Sequence, residues 1–378
     1  MRPKLLYAAS SYIHLMNFHL PYLRAFRERG WEVHALCGDP KGEIPGADRT
    51  IAVPFQKKMS APDNFVAASR IRKLAEREGY SLVIVHTSLA AFFVRLAFKG
   101  LKSRPKIINM VHGYLFDDAM SAPKKQIYLA AEKLCAPQTD LLITMNRWDH
   151  ALAQREKLAA REVFVPGVGV DFSRFADASP EAGRALRETL GLPADAFVLL
   201  YAAELSRRKS QQVLIRALKE LPERTVLVLA GSGAEQENLY ALTEELGLAE
   251  RVIFPGHVGN IGDWYAMADA VATASRIEGL PFNVMEAMAL GKPVVASRVK
   301  GHEDLIEDGV SGLLYPYGDA AACAAAIRRL MDEPALGRRL AEAAAESIGP
   351  YSLERVFPQV MAAYESLTEQ PATAGERT

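Results

Sequence analysis

The feature that most restricts the fold is a rhythm. Short apolar runs of strand length alternate with segments of helical period, in two successive series. KLLYAAS (4–10), WEVHALCG (31–38), SLVIVHTS (81–88), KIINMVHG (106–113) and DLLITMN (140–146) make the first series, with helical patterns at 19–29, 63–78, 89–99, 121–135 and 147–158. Strands joined through helices of this length pair in parallel, by crossover connections. FVLLYAAE (197–204), TVLVLAGSG (225–233), RVIFPG (251–256), DAVATAS (269–275), KPVVAS (292–297) and SGLLYP (311–316) repeat the pattern, with helices at 210–221, 234–247, 282–290 and across 320–345. Between the series, EVFVPGVGVD (162–171) carries the glycines and proline of a linker. A chain of 378 residues accommodates two such α/β domains, at 1–166 and 171–350, each with its own core. A helix over 352–367 is expected to return to the first domain, and EQPATAGERT (369–378) to be a frayed tail.

Composition excludes several classes. The 45 basic residues are matched by 45 acidic ones, so no basic excess points to nucleic acid. Cys37, Cys135 and Cys323 are too scattered for a disulfide framework or a zinc pattern, which suits a reducing cytoplasmic setting. The apolar run in MRPKLLYAASSY is too short for a signal peptide and reads as a first strand. No apolar stretch is long enough to span a bilayer.

The chemistry is expected at strand ends, where α/β sheets bind ligands. Strand one runs into AASSYIHLMNFH, which lacks the G-x-G-x-x-G dinucleotide fingerprint, and AGSG (230–233) is only a short glycine turn. EGLPFNVME (278–286) sets Glu278 just before a proline-started helix and Glu286 within it. Ionised carboxylates only accept hydrogen bonds, so the pair suits a hydroxyl-rich ligand. The helix start between them favours an anion, with capping by Ser275 as the alternative use of its N–H groups. Lys209, in AAELSRRKSQ, supplies positive charge after strand 197–204. After strand one, His14, Asn17 and His19 crowd a short loop, and either histidine suits polarising a hydroxyl; Asn146 ends strand 140–146.

Together SRIEGLPFNVMEAMALGKPVVAS, the flanking DWYAMADAVATAS and GHEDLIEDGVSGLLYP, HGYLF (112–116) and PGVGVDFSRF (166–175) carry a resemblance over nearly the whole chain. It resembles the family 4 retaining glycosyltransferases of the GT-B fold, above all bacterial enzymes of capsule and exopolysaccharide assembly. The resemblance implies two tandem Rossmann-like, doubly wound domains facing across a cleft. It implies a nucleotide-sugar donor, expected to be UDP-linked, on the second domain. A glycan or polyprenyl-diphosphate-linked acceptor is expected on the first, served by His14, Asn17, His19 and Asn146. Glu286 is implied to hold the ribose, Glu278 the transferred hexose or N-acetylhexosamine, and the backbone of Gly279, Leu280 and Phe282 the diphosphate. Lys209 fits the family's diphosphate lysine, but Glu204 stands at its usual arginine; Arg207 or Arg208 is expected to replace that charge. His112 is implied to contact the donor sugar beside the reaction centre.

The resemblance implies front-side attack, no protein nucleophile, no cofactor and no catalytic metal, despite Asp117 and Asp118 after the HG loop. Tyr12, Phe18, Phe116, Lys124, Lys125 and Trp148 are expected to favour peripheral contact with the inner face of the cytoplasmic membrane. The rival readings are a sugar-nucleotide epimerase of the same architecture and a non-catalytic nucleotide- or glycan-binding protein.

Overall fold

A computed structural model describes residues 2–368, so EQPATAGERT lies outside the described residues. The chain divides into two compact units. One comprises the chain up to Val168 and the segment from Val356; the other is Gly169–Arg355.

The first unit is built on seven parallel strands: β1 (Lys4–Ser11), β2 (Glu32–Gly38), β3 (Arg49–Ala52), β4 (Leu82–His86), β5 (Lys106–Val111), β6 (Leu141–Thr144) and β7 (Glu162–Phe164). Their order is β3-β2-β1-β4-β5-β6-β7. Central strands are apolar without alternation because helices cover both sheet faces; Leu5 through Ala9 and Val83 through Val85 are wholly buried. The two edge strands did not stand out in the sequence. β3 is four residues with exposed ends, and β7 is cut from what reads as linker. The loop expected after β1 is a helix, Tyr12–Phe18, whose first turn is capped by the Ser11 hydroxyl accepting from the His14 N–H.

Between the helices Ser88–Phe98 and Ala122–Cys135 lies a buried ion pair. The guanidinium of Arg95, fully buried, donates to Glu132 at 2.8 Å, to the Thr139 hydroxyl at 3.2 Å and to the Ala91 carbonyl at 2.8 Å. Glu132→Ala strands that cation, and chemical denaturation is expected to show a loss of about 3 kcal/mol. Glu132→Gln, which keeps an acceptor, is expected to lose less. From Val356 the last helix completes this unit: Phe357 stacks on Tyr22 at 5.2 Å, and the buried Tyr364 meets Tyr7 and Phe26 at centroid distances of 6.5 and 6.0 Å.

The second unit has six parallel strands: β8 (Phe197–Ala202), β9 (Thr225–Ala230), β10 (Val252–Gly256), β11 (Ala270–Thr273), β12 (Val294–Arg298) and β13 (Leu313–Pro316), in the order β10-β9-β8-β11-β12-β13. The AGSG turn after β9 presses against the chain leaving β8. A Cβ on Gly231, whose φ is +151°, would lie 2.0 Å from the Ala203 carbonyl oxygen, so no other residue fits. That close approach fixes the path of the loop carrying Arg208 and Lys209. The Ala-rich stretch forms two helices, Ala320–Asp332 and Pro334–Ser347.

Candidate active site

In the second unit the chain steps outward from β8 to β10 and then returns to β11, beside β8. At such a reversal the loops leaving the two strands diverge and open a crevice at their carboxyl ends. The loop after β8 brings Arg208 and Lys209 there, and the loop after β11 brings Ser275 and Glu278. Lys209 Nζ donates to Glu278 Oε1 at 2.5 Å, the Ser275 hydroxyl donates to the same oxygen at 2.6 Å, and Arg208 donates to Oε2 at 3.0 Å. Behind them Tyr201, from β8, hydrogen-bonds Ser275 at 2.8 Å and donates to the Lys209 carbonyl at 3.1 Å. Ser210 follows Lys209 with φ +52°, a strained value for a serine, held by its hydroxyl donating to the Arg207 carbonyl at 3.0 Å.

Burial alone would raise the Glu278 carboxyl. The nearby Lys209 and Arg208 outweigh it and hold the group down at about 2. Lys209 is itself lowered, chiefly by burial, against the pull of Glu278. The two directions oppose each other for one ion pair. The carboxylate's governs, since two cations act on it at hydrogen-bond distance. An ionised carboxylate has about four acceptor positions, of which three are occupied, leaving room for a ligand hydroxyl.

Arg207 and Arg208, indistinguishable in sequence, part company here. Arg207 points outward to Glu235 at 3.1 Å with 89% of its side chain exposed, whereas Arg208 joins Glu278. Glu204 is exposed on the same loop, its carbonyl accepting from Gln211 at 2.9 Å.

Gly279, Leu280 and Pro281 are buried and lead into the helix Phe282–Ala289. Pro281, at the N-cap, has no side-chain bond to give that helix; Ser275, the expected alternative cap, gives its hydroxyl to Glu278 instead. Gly301, after β12, closes over the segment: at φ +83°, a Cβ there would sit 2.7 Å from the Gly279 carbonyl oxygen. Glu286 is separate from the Glu278 cluster. It accepts from the Tyr265 hydroxyl at 2.9 Å and lies 3.8 Å from Arg174, and burial raises its carboxyl above the ordinary value.

The first unit has its own reversal, between β1 and β4. Four histidines gather there and at the neighbouring end of β5. His19 and His14 approach through their Nε2 atoms at 3.1 Å, His86 Nδ1 meets His112 Nε2 at 3.0 Å, and the Tyr7 hydroxyl meets His19 Nδ1 at 2.8 Å. Burial lowers all four well below the usual imidazole range, His14 to about 4, and so favours their neutral forms. Thr87, next to His86, is strained at φ +65° and accepts from the Ser10 N–H at 3.0 Å. His112, His14 and His19 are thus brought together from two stretches of the chain.

Asn17 is exposed on the same short helix, and Asn146 lies elsewhere. The Asn146 amide caps the helix Arg147–Glu156, accepting from the Asp149 N–H at 2.8 Å and donating to the Asp149 carboxylate at 2.7 Å. Asp118 is bound to Lys125 at 2.5 Å and to the Trp148 indole at 2.7 Å. Phe116, expected at the surface, is 2% exposed and belongs to the core with Tyr114 and Leu152, because the HG loop turns it inward.

Sequence reading missed Tyr201, Ser275 as a partner of Glu278, Tyr265, Arg174 and His86. His86 alone carried a visible signal, as a histidine closing an otherwise apolar strand.

Comparison with known proteins places the chain in a family. Residues 184–347 match the family described as glycosyl transferases group 1, and residues 22–174 match glycosyltransferase family 4. EpsD of Bacillus subtilis (strain 168), which carries a provisional glycosyltransferase name, is 33% identical over 373 residues, 97% of each chain. The lipopolysaccharide core biosynthesis glycosyltransferase LpsD of Rhizobium meliloti (strain 1021) is 40% identical over 178 residues, 47% of this chain and 50% of its own. Among solved structures, HepE from Anabaena, in complex with UDP-glucose, is 23% identical and superposes with a TM-score of 0.79 over 96% of this chain and 99% of its own. Sucrose-phosphate synthase from Thermosynechococcus elongatus, also 23% identical, gives 0.80 over 97% and 99%. These neighbours have the GT-B fold of two Rossmann-like domains, as the two parallel sheets here do. Similar along nearly its whole length to a relative in that family, the chain belongs to the family 4 glycosyltransferases.

Proposed function

We propose that this glycosyltransferase moves a hexose or N-acetylhexosamine from a UDP-sugar to a glycan or polyprenyl-diphosphate-linked acceptor during surface polysaccharide assembly, with retention at the anomeric carbon. The observation that carries the reading is Glu278, ionised and fixed among Lys209, Arg208 and Ser275 at a strand-order reversal. The relatives named for lipopolysaccharide core biosynthesis and the HepE complex with UDP-glucose support the pathway class and the donor.

In this reading Lys209 and Arg208 meet the diphosphate and stabilise the charge that builds on it as the glycosidic C–O bond breaks. Backbone N–H groups at the start of helix Phe282–Ala289 add to that field. Glu278 uses its remaining acceptor position for a hydroxyl of the transferred sugar. The acceptor oxygen attacks the anomeric carbon on the face the diphosphate leaves, and its proton passes to the departing β-phosphate oxygen. No protein nucleophile and no catalytic metal take part. On the first unit, the histidine group serves sugar hydroxyls through its part-buried members, His14 and His112.

Incubation with a panel of UDP-sugars, with and without lipid-linked glycans, tests this by UDP release. Release that depends on an acceptor supports it; epimerised donor without transfer, or tight binding without turnover, favours the rival activities. Glu286, on the same helix, suits the ribose. Glu286→Ala is expected to weaken UDP binding by about 2 kcal/mol in calorimetry, as for loss of a hydrogen bond to a charged group. Because its carboxyl binds a proton more tightly than the ordinary 4.5, UDP affinity should fall on acidification before pH reaches that value.

Among the described residues no helix is long and apolar enough to cross a membrane. Work at the inner face of the cytoplasmic membrane is part of the proposal, supported by Ile127 (71% exposed) beside the exposed Lys124 on one helix. Co-sedimentation with anionic vesicles tests it, and recovery of all the protein in the supernatant would overturn it.

A further inference from the structure

The histidine group in the first unit has properties that hydroxyl recognition does not require. One ring nitrogen from each of His14, His19 and His112 lies within 4.8 Å of the other two. The His14–His19 separation, 3.1 Å between Nε2 atoms, is already close to that of two ligands on one ion. Nitrogens bound to zinc at 2.0–2.1 Å in a tetrahedron stand about 3.4 Å apart.

The rings are also held from outside. The Tyr7 hydroxyl engages His19 at Nδ1, the nitrogen remote from His14, and His86 engages His112. Partners of this kind fix the tautomer and orientation of metal-bound imidazoles. Tyr7 and His86 are fully buried, so this support is rigid. His86 keeps its Nε2 buried without a hydrogen-bond partner among the described residues, an uncompensated polar atom at the back of the group. His14 and His112 are only part-buried, which leaves an entry path.

We propose that His14, His19 and His112 form a binding site for one transition-metal dication of the zinc class, with a solvent molecule or ligand oxygen as fourth donor. The donor set selects the ion. Three imidazoles suit zinc and its neighbours in the first transition row. Magnesium and calcium demand oxygen ligands, and no carboxylate belongs to the group. The ion is not the counter-charge of the donor diphosphate, which Lys209 and Arg208 provide in the other unit. It fixes the helix Tyr12–Phe18 and the start of the next helix to the end of β5 within the first unit.

The test uses the full chain without a histidine tag, stripped with a chelator and titrated with zinc against a chromophoric competitor, and with cobalt as a spectroscopic probe. One equivalent of zinc is expected at micromolar or tighter affinity, with the visible bands of four-coordinate cobalt, and excess magnesium should not displace either ion. His14→Gln and His112→Gln are each expected to lower zinc affinity at least about tenfold, the smallest loss seen even for groups that only orient a ligand. Each variant's Tm in the metal-free state checks its fold, and the exposed His257→Gln should bind like the unaltered chain. Absence of stoichiometric zinc, or affinity unchanged in both His14→Gln and His112→Gln, overturns the site. Because zinc binding is read without donor or acceptor, its failure leaves the transfer reading untouched, and failure of UDP release leaves the site untouched.

Discussion

Lys209→Ala is expected to lower the rate of acceptor-dependent UDP release by about 10²–10³-fold, the scale seen when one preorganised donor to a developing anion is removed. The effect should fall on kcat. In the ground state Lys209 is already neutralised by Glu278 at 2.5 Å, so its charge matters most when the departing diphosphate gains charge. Steady-state kinetics with donor varied at saturating acceptor makes the distinction. A raised KM with unchanged kcat would show that Lys209 only binds donor, and the transition-state role would be wrong. Arg208→Ala should be milder, because that guanidinium is 39% exposed and sits on the other carboxylate oxygen. Arg207→Ala should leave the rate unchanged, since that side chain is turned to Glu235.

Glu278→Ala has the second large effect, and it acts twice. Transfer should fall below detection, because the sugar loses its acceptor and Lys209 loses the partner that aims it. The second unit should also lose about 3 kcal/mol, as expected when a buried cation is left without its counter-ion. The sign with pH follows from the direction of the shift. The folded carboxyl, at about 2, lies below its ordinary 4.5, so the pairing stabilises the fold fully above the ordinary value and is lost as pH falls towards 2. Glu278→Gln removes the charge at every pH. The stability gap between it and the unaltered chain should therefore be widest near neutrality and close towards pH 2 in acid titrations followed by circular dichroism. A gap that stays constant with pH would mean that the ion pair contributes nothing.

The sequence made the donor side more legible than the acceptor side, for a physical reason. Glu278, the helix start and Glu286 lie within nine consecutive residues, so local spacing places them. Their partners come from elsewhere: Tyr201 from β8, Tyr265 and Arg174 from segments far apart in the chain. Periodicity marks such tyrosines as core and says nothing of where a hydroxyl points. Arg207 and Arg208 are separated only by the loop path that the AGSG turn and the strained Ser210 impose, which no propensity encodes. The central strands were clear because they are buried on both faces. β3 and β7 were not, because edge strands need no continuous apolar run. His86 was passed over because a buried histidine ending a strand is ordinary until three others meet it.

The first unit is discontinuous in the chain, and this bears on the order of events during synthesis. A ribosome delivers the N-terminal strands first, but the helix segment that covers Tyr7, Tyr22 and Phe26 is made only after the entire second unit. Tyr7 is also the residue that holds His19. The nascent N-terminal part therefore waits with an aromatic face uncovered while the continuous Gly169–Arg355 unit has all it needs to fold, reversing the usual N-terminal-first order. The histidine group becomes fully supported only after the second unit has been made.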